Sequence, residues 1–166
     1  MLGLASSPCR VDGVVLESAR ETDVSAMFEL LKTANMHYIP SEEMSELDWS
    51  RCFVARMGGQ LVGMAGYKIL SESAGKTTLM VVRPDCRGSG IGWQLQAERL
   101  RAMARLGVRS VVTNADRPAT IAWYKKYFDY EEIGRLKKVH EFGDPSVPEW
   151  TTLRMDLAAW IERQKE

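Results

Sequence analysis

From Thr77 to Val82 the chain is a run of β-branched and apolar residues that stops at Pro84, and beyond a glycine-rich loop a long amphipathic pattern begins. This order predicts a strand, a loop and a helix in direct succession. In the helical part Gln94, Glu98, Arg101 and Arg105 share one narrow polar stripe, whereas Ile91, Trp93, Leu95, Leu100, Ala102, Met103 and Leu106 spread over the remaining arc. So wide an apolar arc predicts a helix covered on several sides.

Upstream, residues 1–12 read as a lead-in and residues 13–20 as a first strand. Thr22 or Asp23 can cap a helix whose apolar positions Val24, Met27, Leu30, Leu31 and Ala34 recur at helical spacing, running to about Met36. Pro40 breaks that pattern, and Ser41 followed by Glu42, Glu43 and Met44 predicts a short second helix. Residues 51–57 and 60–70 flank Gly58-Gly59, a two-residue hairpin turn, and the next strand covers 77–83. Gly107 closes the long helix and residues 108–114 supply a strand, which makes a parallel βαβ crossover. Asp116 and Pro118 then open a helix with Ile121, Tyr124 and Phe128 on one face. Strands at 130–141 and 150–157 follow, separated by a loop containing Gly143, Asp144, Pro145 and Pro148, and residues 158–166 form a docked or frayed tail. The whole, residues 1–166, reads as a single mixed α/β domain.

The loop carries the chemistry. Glycines at 88, 90 and 92 let the backbone approach a ligand, and the first-turn N–H groups of the helix lack intrahelical partners, which suits a phosphate. Two phosphate-loop patterns fail. A dinucleotide fingerprint counted from Gly88 or Gly90 meets Trp93 or Leu95 at its third glycine, and Gly75-Lys76-Thr77 lacks the earlier glycine of a Walker loop, having Leu70 there. The remaining pattern, Val82-x-Pro84-x-x-Arg87-Gly88-x-Gly90-Ile91-Gly92, resembles the acetyl-CoA loop of the GNAT-type N-acetyltransferases. The segment around Tyr124-Lys125-Lys126 resembles the same family's helix after strand five, with two departures: Arg117 stands where an Asn is common, and Asp129 replaces the helix-ending Gly.

That resemblance, strongest over 79–130, implies a mixed six- or seven-stranded sheet with helices on both faces and a splay between strands four and five. It implies acetyl-CoA as cosubstrate and no metal. The backbone of Met80, Val81 and Val82 would meet the pantetheine arm, residues Arg87, Gly88, Ser89, Gly90, Ile91 and Gly92 the pyrophosphate, and Asn114 the arm from the other side. Tyr124 matches the family's general acid. No carboxylate occupies strand four, so the base is left open among His37, Glu42, Glu43, Glu72 and His140, acting through water. The activity implied is acetyl transfer to a primary amine of a small molecule or peptide; the alternative is a non-catalytic acyl-CoA-binding or interaction module on the same fold.

Charge refines this only locally. Lys plus Arg equals Asp plus Glu at 22 each, so the balance supports neither nucleic acid nor membrane as a partner. Between Arg83 and Arg109, six arginines face Asp85 and Glu98, while between Glu17 and Asp48 eight acids face Arg20 and Lys32. The basic stretch surrounds the loop. The acidic one, with Glu42, Glu43, Glu46 and Asp48, reads either as the wall of a negative acceptor pocket that prefers amines without a nearby carboxylate or phosphate, or as a solvated loop. Three cysteines without close pairing, and no signal-like or spanning segment, read as a reduced, cytoplasmic protein compatible with a homodimer.

Overall fold

A computed structural model describes residues 13–37, 40–41, 43–44 and 46–165. Seven strands form one sheet: β1 (Val15–Ser18), β2 (Cys52–Met57), β3 (Gln60–Ile69), β4 (Ala74–Val82), β5 (Ser110–Ala115), β6 (Glu131–Lys137) and β7 (Glu149–Asp156). Their spatial order is β1-β2-β3-β4-β5-β7-β6. Every neighbouring pair is antiparallel except β4 with β5, which α2 (Ile91–Arg105) joins as a crossover. The other helices are α1 (Val24–Lys32), α3 (Pro118–Phe128) and α4 (Leu157–Gln164).

Two cores cover the sheet's faces. On one, α1 packs Met27 and Leu31 against Val54, Met64, Leu79 and Val81. On the other, Leu100 and Met103 of α2 join Val111, Phe128, Leu153 and Trp160. The predicted wide apolar arc of α2 is thus met by β3, β4 and α4. That arc also holds two polar side chains that the pattern did not single out, Gln96 and Arg99, both fully buried.

Between β3 and β4 the register moves from Ala65↔Met80 to Tyr67↔Thr77, so Gly66 faces both Thr78 and Leu79. Only glycine fits there, because a Cβ at 66 would lie 2.6 Å from Thr78 Oγ1 and 3.0 Å from Cys52 Sγ. The bulge changes which residues face which side. A Cβ on Gly75 would meet Met103 of α2, which places Lys76 on the opposite face; beyond the bulge it is Leu79 and Val81 that face α1, while Met80 and Val82 pack toward α2.

Some boundaries differ from the sequence-based expectation. No helix forms at the described residues 40, 41, 43 and 44, which are bends: the Ser41 hydroxyl accepts the N–H groups of Glu43 and Met44 in place of a helical ladder. Glu42 lies outside the described residues. Helix α1 ends at Lys32, short of Met36, and Asn35 follows in the left-handed conformation. Strand β6 ends at Lys137, because the next residue turns its amine into the β6–β7 loop. The tail is a docked helix: Asp156 caps it by accepting Ala159 N–H, and Leu157 and Trp160 are buried. Cys52 is a free thiol, and Cys9 lies outside the described residues. Among the described residues no helix is long and apolar enough to cross a membrane.

Candidate active site

The parallel ladder between β4 and β5 holds only from Ala74↔Ser110 to Lys76↔Val112. Strand β4 runs on to Val82 and β5 to Ala115, yet the two no longer pair, so the predicted splay is present. Unpaired backbone along such an edge can bond an extended ligand that carries its own amides. Met80, Val81 and Val82 all lie on this open length.

At its far end the chain makes a 3-10 turn, Pro84–Cys86, and then the glycine loop. Gly88 and Gly90 have φ of 79° and 93°, and Gly90 is the N-cap of α2. The first helical bond runs from Gln94 N–H to the Gly90 carbonyl, leaving the N–H groups of Ile91, Gly92 and Trp93 available. No acidic residue sits in that first turn. Ser89 Oγ donates to the Cys86 carbonyl at 2.5 Å and Arg87 stays exposed, with Nε 3.4 Å from the Val82 carbonyl. The loop is therefore an amide cradle with an arginine at its rim, suited to a pyrophosphate.

Tyr124 lies beneath the sheet at 4% exposure. Its hydroxyl accepts from Arg99 Nη2 at 3.1 Å, and the same nitrogen lies 3.6 Å from Met80 Sδ, so the phenol sits under the splayed length of β4. Arg99 also donates through Nη1 to the Gly66 carbonyl at 3.0 Å, opposite the bulge, and through Nε to Gln96 Oε1 at 2.6 Å. Gln96 Nε2 in turn donates to the Tyr130 hydroxyl at 3.0 Å. Burial pushes the Tyr130 phenol well above its ordinary value, and nearby Tyr124 adds to that, so Tyr130 stays neutral. Among the described residues Arg99 forms no ion pair with a carboxylate. Sequence reasoning missed this arginine, because a single Arg within an apolar arc carries no motif.

On the α1 side of the sheet is a cavity of about 720 Å³ whose floor is Lys76, Thr77, Thr78 and Leu79 and whose walls include Asn114 and Trp150. The Asn114 carboxamide accepts from Thr152 Oγ1 at 2.7 Å. Of the bases proposed from sequence, Glu43 alone among the described residues lines this cavity. Burial opposes its charge, but donation from Trp150 Nε1 at 2.6 Å and from His140 N–H at 2.5 Å outweighs burial and holds the carboxyl below its ordinary value. Glu43 is thus a weak base and a strong hydrogen-bonding post. Cys52 also lines the cavity, and burial, with Asp48 nearby, pushes its thiol up to about 12. It is therefore no thiolate nucleophile at neutral pH.

The β6–β7 loop lines the cavity through Val139 and is tied down at several points. Lys138 Nζ, almost fully buried, bonds Asp116 Oδ2 at 3.0 Å and the carbonyls of Phe142 and Asp144, each at 2.9 Å, while lying 4.6 Å from the Trp150 ring centroid. Asn35 fastens the same loop to the end of α1 through the Gly143 carbonyl.

A mixed sheet splayed after a short parallel ladder, with a glycine loop capping the crossover helix, defines an α/β fold built to admit an extended, phosphate-bearing ligand. The sequence model of the acetyltransferase (GNAT) family matches residues 23–130, and the chain belongs to that family. Its chemistry is acetyl transfer from acetyl-CoA. Solved structures agree on the fold. The ribosomal-protein-S18-alanine N-acetyltransferase of Escherichia coli is 18% identical, with a TM-score of 0.69 over 87% of this chain and 94% of that one. Ard1 of Thermoplasma volcanium is 15% identical, with a TM-score of 0.70 over 87% and 97%. The N-acetylglutamate synthase of Neisseria gonorrhoeae, solved with coenzyme A and N-acetyl-glutamate, is 17% identical with a TM-score of 0.68; the match covers 87% of this chain but only 35% of that one. A search of curated proteins finds no significant match.

Proposed function

We propose that the protein transfers the acetyl group of acetyl-CoA to a primary amine of a small molecule or peptide by direct attack of the amine on the thioester. One observation carries this reading above the rest: the Tyr124 hydroxyl lies under the open length of β4, whose far end leads into the amide cradle. The amides of residues 87–92 would hold the pyrophosphate, the free edge from Met80 to Val82 the pantetheine arm, and Asn114 the arm's other side. Acetyl-CoA supplies an activated carbonyl and a thiolate leaving group.

The amine nitrogen enters from the cavity and forms the C–N bond, the C–S bond breaks, and the departing sulfur takes the proton of Tyr124. Arg99 makes that donation possible in two ways. It occupies the phenol oxygen as acceptor, leaving the O–H proton to point elsewhere, and its positive charge offsets the charge left on the oxygen after donation. The amine's own proton leaves through water, since Glu43 is too weak a base. A covalent acyl-cysteine route finds no support in Cys52, whose thiol stays protonated.

Two features favour the second reading, a non-catalytic acyl-CoA-binding module: β4 carries no carboxylate, and Arg117 stands at the N-cap of α3 where relatives place Asn. Thiol release from acetyl-CoA upon addition of an amine panel separates the two. Amine-dependent release supports the enzyme. Tight calorimetric binding of CoA with no release by any amine would favour the module.

A further inference from the structure

The acids that colour the sequence between Met36 and Arg51 do not set the cavity's polarity alone. Glu43 is engaged by Trp150 and His140, and Asp48 Oδ1 accepts both N–H and O–H of Ser50. Among the described residues the same cavity is also lined by Glu46 and by four basic side chains, Arg51, Lys68, Lys76 and Lys137. Two of them are placed in an unusual way. Lys68 of β3 and Lys76 of β4 are direct cross-strand partners, and both project into the cavity. Like charges directly opposite one another on adjacent strands destabilise a sheet. Lys76 is partly buried, and among the described residues it forms no ion pair. Burial, with Lys68 opposite, lowers its amine from the ordinary lysine value, which is the mark of a cation without a counter-charge.

We propose, on the reading that this cleft acetylates an amine, that Lys76 is the subsite for an anionic group of the acceptor, so that the preferred acceptors are amines bearing a carboxylate or phosphate a few ångströms from the nitrogen. The geometry sets that spacing. Lys76 stands two residues before the bulge at Thr78 and Leu79, roughly 7 Å along the strand. An amine that reaches the thioester through the opening beside the bulge would leave an adjacent anion within the sweep of the Lys76 side chain. This reverses the preference that the acidic segment by itself predicts, because that preference counts acids without their partners and omits cations contributed by β3, β4 and β6.

The test compares acceptors that differ only in the anion: glycine against methylamine, phenylalanine against phenethylamine, glutamate against γ-aminobutyrate, and phosphoethanolamine against ethanolamine. The measured quantity is kcat/KM for thiol release from acetyl-CoA by the wild type, Lys76→Met and Lys76→Arg. At least one pair should favour its more anionic member by about tenfold or more, with Lys76→Met closing most of that gap and Lys76→Arg keeping it. The carboxylate and phosphate pairs show which anion is taken. A preference for the less anionic member throughout, or one that survives Lys76→Met, would overturn the proposal. A second readout does not depend on turnover: with desulfo-CoA bound, labelling of Lys76 by acetic anhydride, followed by mass spectrometry, should be slowed by N-acetylglycine, which carries the anion but no free amine, and not by its counterpart N-methylacetamide. No release with any amine would defeat the enzyme reading, and equal labelling with both amides would defeat the anion subsite by itself.

Discussion

Arg99 Nη2 lies 3.1 Å from the Tyr124 hydroxyl, joining a fully buried cation to the phenol assigned as general acid. The same guanidinium holds the Gly66 carbonyl opposite the bulge, so one side chain fixes both the acid and the strand irregularity beside the splay. If Arg99 acts through Tyr124, the two losses in kcat will not add. Arg99→Met should lower kcat by roughly tenfold or more, and Arg99→Met/Tyr124→Phe should be no slower than Tyr124→Phe alone. Additive losses in the double-mutant cycle would give Arg99 a role independent of the tyrosine. Because the substitution strips the Gly66 carbonyl and Gln96 of their donor, a stability loss of about 1–3 kcal/mol should accompany it.

The loop makes a prediction that separates backbone strain from crowding. A Cβ on Gly90 would meet nothing within 4 Å, yet the residue has φ of 93°, so the cost of a side chain there is conformational. Gly90→Val should cost about 1–2 kcal/mol of stability and, by moving the amides of α2's first turn, abolish calorimetric CoA binding. Arg87→Ala should only weaken that binding. Unchanged affinity in both variants would remove the pyrophosphate assignment.

Most of this architecture was legible from residue pattern. The strand, loop and helix around Arg87 to Gly92 and the Gly58-Gly59 hairpin are local features, each fixed by a run of a few residues, and the parallel crossover follows from the order of strand, helix and strand; all are found. Asp129, the replaced glycine of α3, adopts the left-handed conformation that its position demands. What stayed hidden depends on contacts distant in sequence. Arg99 meets Gly66 and Tyr124 across separations of 33 and 25 residues. Glu43 looked like a free acid until Trp150, 107 residues away, was placed on it.

Acid stability should report the pair that fastens α1 to the sheet. Asp23 Oδ2 lies 2.6 Å from Arg56 Nη2 and also accepts Arg20 N–H. Burial opposes the Asp23 charge, but the hydrogen bonds from Arg56 and Arg20 prevail, and its carboxyl is held below the ordinary value. A group lowered on folding contributes stability above its unfolded pKa, about 3.9, and loses that contribution as pH falls through the lower folded value. Asp23→Asn should therefore destabilise the protein by about 2 kcal/mol at pH 7, with the difference from wild type shrinking below pH 4 in denaturant titrations. A difference independent of pH would mean that packing, and not charge, is responsible.

Lys138 offers a test of the acceptor wall. Lys138→Met keeps much of the aliphatic stem beside Trp150 but removes the bonds to Asp116, Phe142 and Asp144. Steady-state kinetics should show acceptor KM rising several-fold with acetyl-CoA KM nearly unchanged, because the loop lines the cavity through Val139. Equal changes in both constants would indicate that the loop serves the cosubstrate side as well.

The central claim is that Tyr124 protonates the departing thiolate of acetyl-CoA. The most direct measurement is kcat for thiol release by Tyr124→Phe, taken beside its calorimetric affinity for CoA. The account predicts a fall in kcat of about a hundredfold or more with affinity within about twofold of wild type. Full turnover by a folded Tyr124→Phe protein would contradict it and leave Tyr124 as a packing residue of the core.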